Sequence, residues 1–280
     1  MHVWSALGAV ANMRCRFDET VRAHEQVSRH AVLSGQQVSF FRASFALVLG
    51  SRPADEALEA LATGGAAAHP KTLLAQAWLL ARLGRFDEAR RLATDVAPRY
   101  REIVGNPNDV VVRARIESLA RGLRRAIALQ REHCRFLEQN SALASLSTGL
   151  PLIGRWLCLL GRHDEAEPLA RRGRELTPMG DVVSEAGWRQ AQALVDAHRG
   201  NHARAEQLAR EALALREETD SPTMQGDALY DLAEVLAAAG RTDEAAAALV
   251  DARGRYERKR CVAMVTRVQA RLDALAPAPA

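Results

Sequence analysis

Apolar residues recur along this chain at helical spacing. Leu150, Ile153, Gly154 and Leu157 fall at i, i+3, i+4 and i+7, and Leu229, Leu232, Ala233 and Leu236 repeat the pattern. Leu208, Ala209, Ala212 and Leu215 form a further stripe. Such stripes mark amphipathic helices. Long stretches of alternating Val, Ile and Thr are missing, so the pattern predicts an all-α protein without a sheet.

Between the stripes one turn recurs. It reads Gly84-Arg85-Phe86-Asp87-Glu88-Ala89, Gly161-Arg162-His163-Asp164-Glu165-Ala166 and Gly240-Arg241-Thr242-Asp243-Glu244-Ala245, with weaker copies starting at Gly200 and Cys15. Gly ends a helix because it takes a left-handed conformation without a Cβ penalty. Asp and Glu suit the positive first turn of the next helix. Ala then fits where two antiparallel helices approach most closely. The carboxylates should therefore form a row along one edge, not a catalytic cluster.

From Cys15 the turns run to Gly50, Gly84, Gly122, Gly161, Gly200 and Gly240, in steps of 35 to 40 with one of 34. A regular step of this length means stacked helix–turn–helix units, because one unit cannot bury its own apolar face. First helices are expected near 3–14, 37–49, 71–83, 109–121, 142–160, 181–199 and 222–239. Their partners are expected near 17–34, 54–63, 86–104, 123–138, 164–176, 202–219 and 242–258. A last helix near 260–275 should cap the stack, and 276–280 should be a disordered tail. Pro151 predicts a break at Leu150, and the turn after Gly122 reads as one residue short.

Composition changes this picture little. Aromatics are 5 % of the 280 residues, net charge is +4, and the basic residues are Arg except for Lys71 and Lys259. Four scattered cysteines read as small buried hydrophobes. With neither a signal-type N-terminus nor a long uninterrupted apolar run, the expectation is a soluble, cytoplasmic protein.

The turns and stripes resemble the tetratricopeptide repeat over 1–275, beginning with Trp4-x-x-Leu7-Gly8 and Phe17. From 146 to 275 there is a narrower resemblance, carried by Leu159-Leu160-Gly161-Arg162-His163-Asp164-Glu165-Ala166, Glu175-Leu176-Thr177-Pro178, Trp188-Arg189 and Gly226-Asp227-Ala228-Leu229-Tyr230. This stretch is similar to the C-terminal helical region of bacterial signalling proteins that carry an AAA-type ATPase with an adenylate/guanylate cyclase or transcriptional-activator module. The resemblance implies a right-handed α-solenoid of about seven hairpins. It also implies a non-catalytic protein- or peptide-binding arm in signal transduction or transcriptional regulation, with an ATPase or cyclase module of the same system as an expected partner.

No catalytic, cofactor or metal residues are expected. Neither Lys lies in a P-loop setting, and His198 and His202 straddle a helix-ending glycine. The family's groove positions transfer to Lys71, Trp78, Arg82, Thr148, Arg155, Gln190, His198, Asp227, Tyr230 and Glu234. Ser5 and Ala9 stand where arrays that clamp chaperone carboxylates need basic and Asn residues. A rival reading rests on Arg113, Arg115, Arg121, Arg124, Arg125, Arg131 and Arg135, which with Asp109, Glu117 and Glu132 give 109–136 a net charge of +4. Such a patch could track nucleic-acid phosphates, though no aromatics are interleaved for stacking, and nucleic acid is disfavoured. The other alternative is a solenoid that senses a small-molecule effector.

Overall fold

The computed structural model describes residues 2–33, 43–63 and 67–276. Among them every regular element is a helix. They are α1 (His2–Met13), α2 (Phe17–Leu33), α3 (Ser44–Leu49), α4 (Ala54–Thr63), α5 (Pro70–Arg82), α6 (Phe86–Val104), α7 (Asp109–Leu119) and α8 (Leu123–Gln139). There follow α9 (Leu143–Cys158), α10 (His163–Leu176), α11 (Val182–His198), α12 (His202–Glu217), α13 (Pro222–Ala238), α14 (Thr242–Arg258) and α15 (Val262–Leu275). Odd and even helices pair into seven hairpins that stack in chain order, and α15 packs on α14. This is an α-solenoid with a capping helix. The tail at 277–280, and the 37–42 part of the expected second first-helix, lie outside the described residues.

The turn chemistry accounts for the hairpins. Gly84, Gly161, Gly200 and Gly240 have φ of 81, 74, 79 and 76°, a region that costs a residue with a Cβ about 1–2 kcal/mol. Ala89, Ala166, Ala205 and Ala245 are fully buried where the two helices touch. The Arg of the motif holds the Glu three residues on: Arg85 Nε donates to Glu88 at 2.8 Å, Arg162 Nε to Glu165 at 2.7 Å and Arg241 Nε to Glu244 at 2.6 Å. Arg199 bonds Glu167 of the preceding hairpin, and Arg241 bonds Glu206. The expected row of acids is thus a charge-paired ladder.

Three local expectations are corrected. Gly122 is not the left-handed residue of its turn. Arg121 is, with φ 63°, and the turn only looked short because the glycine had been placed one position late. Gly50 is extended, with φ −71° and ψ −173°; glycine is required there by close approach, since a Cβ would lie 2.5 Å from Asp18 Oδ1. Pro151 does not break α9, which runs through it. Its ring sits over Gly173 of α10, where a Cβ would meet Pro151 Cγ at 2.3 Å.

The core lies in two clusters that meet at α7. One holds α2 to α6 together with Val112 and Ile116, the other holds α8 to α15 with Ala114. All four cysteines are buried as thiols.

The stack also closes on itself. Phe17 and Asp18, whose N–H groups start α2, both donate to the Asp220 carboxylate at 2.8 Å. Ala54 N–H donates to the Lys259 carbonyl at 2.8 Å. The Lys259 side chain is fully buried, and its Nζ donates to the carbonyls of Leu47, Gly50 and Arg52 at 2.9, 2.7 and 2.7 Å. Leu47 is in the last turn of α3, where carbonyls lack helical partners, and Gly50 and Arg52 lie in the connection from α3 to α4. The first two hairpins are therefore latched to the last two by polar contacts, and the concave side becomes an interior.

Candidate binding sites: an arginine-lined interior and an apolar end helix

Closure brings together residues from six hairpins and the capping helix around a cavity of about 120 Å³. Trp78, Arg82, Thr148, Arg155, Gln190 and Asp227, six of the groove positions expected from sequence, line it. His198, Tyr230 and Glu234 instead border an open cleft, where Arg271 pairs with Glu234 at 2.6 Å and the His163 and His198 rings stack 3.8 Å apart. Lys71 lies at the start of α5, outside both, its N–H donating to the His69 ring.

The cavity wall carries five guanidinium groups, those of Arg82, Arg115, Arg155, Arg216 and Arg267. Three have firm partners. Arg155 Nε donates to Asp231 at 2.6 Å, and Gln190 Nε2 donates to the same oxygen at 2.8 Å. Burial opposes the Arg155 charge, but Asp231 and Asp227 outweigh it and hold the group firmly protonated. Arg216 donates twice to Gln190 Oε1, at 3.2 and 3.0 Å. Arg267 donates to the Ser118 and Leu119 carbonyls at 2.6 and 3.2 Å, across the seam.

Arg82 and Arg115 differ. Their guanidiniums lie 5.4 and 5.7 Å from the Trp78 ring centre, and Arg115 is also 5.9 Å from that of Trp156. Both Nε atoms are buried without a hydrogen-bond partner among the described residues. Cation–π contact offsets part of the lost hydration, and burial pulls the Arg115 guanidinium down to about 10.

Sequence reasoning missed Arg216 and Arg267 and put Arg115 on an outer face. A signal was present. Val112, Arg115, Ile116 and Leu119 fall at i, i+3, i+4 and i+7, as do Ala209, Arg216 and their intervening apolar neighbours Ala212 and Leu213. An arginine occupying an apolar stripe is one that faces inward.

The remaining arginines of 109–136 do not form one stripe. Arg125 approaches Glu117, itself bonded by Arg90. Arg131 reaches Glu165 and shares a shallow cleft with Arg124 and Arg162. Arg113 borders a separate narrow cleft, Arg135 bonds the Arg131 carbonyl, and Arg121 is the turn residue.

At the other extreme, α1 exposes large apolar side chains. Val3, Trp4, Leu7, Val10 and Met13 are 70, 38, 50, 48 and 82 % exposed. Val3, Leu7 and Val10 follow i, i+4, i+7, so they make a stripe along one face. Among the described residues no cluster of three or more His, Cys, Asp or Glu could hold a metal ion, and no helix is long and apolar enough to cross a membrane.

Comparison with known proteins agrees with this architecture. Tetratricopeptide-repeat family profiles match residues 70–93, 226–250 and 193–219, so these three segments carry tetratricopeptide repeats. Among solved structures it is similar to a chain of the APC/C hetero-tetramer Cut9-Hcn1, with TM-score 0.64 at 13 % identity over 96 % of this chain. This chain spans 49 % of that one. BtubC from P. vanneervenii gives TM-score 0.48 at 15 % identity, over 97 % of this chain and 95 % of that one. A tetratricopeptide repeat protein from Parabacteroides merdae gives 0.42 at 14 %, over 90 % and 99 %. No curated protein matches the sequence.

Proposed function

We propose that this chain is a non-catalytic protein-binding scaffold that acts as a regulatory arm in bacterial signal transduction or transcriptional regulation. The observation that carries the binding role is the exposed apolar face of α1. A contiguous apolar stripe left in water is costly, and such patches mark surfaces that a protein partner covers. The latched concave side supports the same placement, because a cavity of about 120 Å³ is too small for an extended peptide. The resemblance of 146–275 to the helical tails of ATPase- and cyclase-bearing regulators supports the regulatory context and makes such a module the first partner to try. The scatter of Arg113, Arg121, Arg124, Arg125, Arg131 and Arg135, two of them engaged by acids, weighs against a phosphate-tracking face.

The test uses the intact chain as bait for ATPase and cyclase modules encoded beside it, followed by binding measurements with purified partner. Leu7→Glu with Val10→Glu should weaken binding at least tenfold while the helical circular-dichroism signal is kept. Undiminished binding by that variant, or binding to duplex DNA that falls steeply with salt, would overturn the reading.

A further inference from the structure

We propose that the interior cavity is a binding site for a compact phosphate-type oxyanion, of the size and charge of inorganic phosphate or pyrophosphate. The proposal is independent of what α1 binds. It stands on three observations about the cavity wall.

The first is charge balance. Five guanidiniums face the cavity against one carboxylate on its wall, Asp227, with Asp231 behind it. Asp227 is already engaged, accepting from the Tyr256 hydroxyl at 2.7 Å. Positive charge is left over on the cavity wall.

The second is unspent donors. Arg82 is 4 % exposed, and its Nε, like that of Arg115, is buried with no hydrogen-bond partner among the described residues. A guanidinium offers five N–H donors in a rigid fork that matches a tetrahedral oxyanion. Leaving such donors dry costs stability unless something accepts from them. The flanking Trp78 and Trp156 rings hold the two forks in place but supply no acceptor oxygen.

The third is size. At roughly 30 Å³ per water, 120 Å³ gives room for about four water molecules. That admits phosphate or pyrophosphate. A nucleotide would need stacking faces, and the Trp78 ring is already shared by two guanidiniums.

The five arginines come from α5, α7, α9 and α12, in four different hairpins, and from the capping helix α15. An anion that draws them together therefore adds to the closure that Lys259 and Asp220 provide at the seam. Binding would be read out as a more firmly shut ring.

The experiment is thermal unfolding of the intact chain with phosphate, pyrophosphate, citrate or chloride at matched ionic strength, with titration calorimetry for Kd. Pyrophosphate about a hundredfold above its Kd should raise Tm on the order of 5 °C, with chloride giving no comparable rise. Arg115→Gln and Arg82→Gln should each weaken pyrophosphate at least tenfold. Arg124→Gln with Arg131→Gln, on the outer cleft, should leave it unchanged. If either interior variant does not fold, hydrogen exchange on the wild type decides: pyrophosphate should protect 78–83, 115–119 and 262–268 above the turns at 84–88 and 161–165. A rise equal to that in chloride, a rise in citrate alone, an effect abolished by the outer-cleft variant, or protection confined to the turns would overturn the proposal.

Discussion

Lys259 Nζ lies 2.7 Å from the carbonyl oxygen of Gly50, although 209 residues separate them in the chain. With the carbonyls of Leu47 and Arg52 it completes a three-acceptor cage in which no carboxylate takes part. The ammonium satisfies all three carbonyls and the neutral amine two, and burial pulls the group down to about 6 in this cage. It converts an open stack of hairpins into a closed one.

Lys259→Met removes those donors and leaves three buried carbonyls unpaired. At about 1–3 kcal/mol for each orphaned group, reduced where water enters, the loss should be about 3 kcal/mol in urea unfolding. Amide exchange in α3 and α4 should accelerate. Arg260→Ala breaks only half-exposed pairs with Asp55 and Glu56 and should cost less than about 1 kcal/mol. Equal effects from the two variants would show that the latch is not at Lys259.

Asp220 caps α2 from the far end of the chain, taking both the Phe17 and Asp18 N–H groups. Asp220→Ala should cost about 1–2 kcal/mol and raise exchange in the first turn of α2. An unchanged unfolding midpoint would remove this contact from the closure.

Arg155 and Asp231 form a buried pair two hairpins apart. Arg155→Met alone strands the carboxylate and should destabilise by about 3–5 kcal/mol, whereas Arg155→Met with Asp231→Leu should recover most of that. Additive losses in the double-mutant cycle would mean the two side chains do not interact.

Gly84→Ala and Gly226→Ala separate two uses of glycine. At Gly84 φ is 81° and no atom lies within 4 Å of a built Cβ, so the cost should be the backbone one alone, about 1 kcal/mol. At Gly226 a Cβ would sit 2.8 Å from the Tyr256 ring, and Tyr256 is fully buried. Overpacking there should cost about 1–3 kcal/mol and shift the tyrosine fluorescence, which the Gly84 variant should leave alone.

The His163 imidazole is held below the usual histidine range by burial and by His198 stacked on it. The unfolded chain therefore takes up this proton first, and stability is full above about 6.5 and declines as pH falls through the folded value. Tm should drop between pH 7.5 and 5.5, and the drop should shrink in His163→Gln. The same drop in that variant would assign it elsewhere.

Local chemistry made the hairpins legible in the sequence. Gly, the paired acids and Ala at fixed offsets state how one helix ends and the next begins, and apolar spacing states which face turns inward. These are interactions within a single hairpin or between adjacent ones, so a linear pattern carries them. The narrow errors arose where a non-glycine, Arg121, took the left-handed turn position, and where Gly173 made room for Pro151.

What the linear pattern could not carry was closure. Lys259 is buried against α3 because the stack's curvature returns α14 to the second hairpin, and nothing in its neighbours along the chain states that. Arg115 was counted with its charged neighbours, and curvature instead set it beside Arg82 around Trp78. Periodicity determined the helices, their turns and their stacking. Only the summed rotation of seven hairpins, a long-range property, decided which charges would face one another inside.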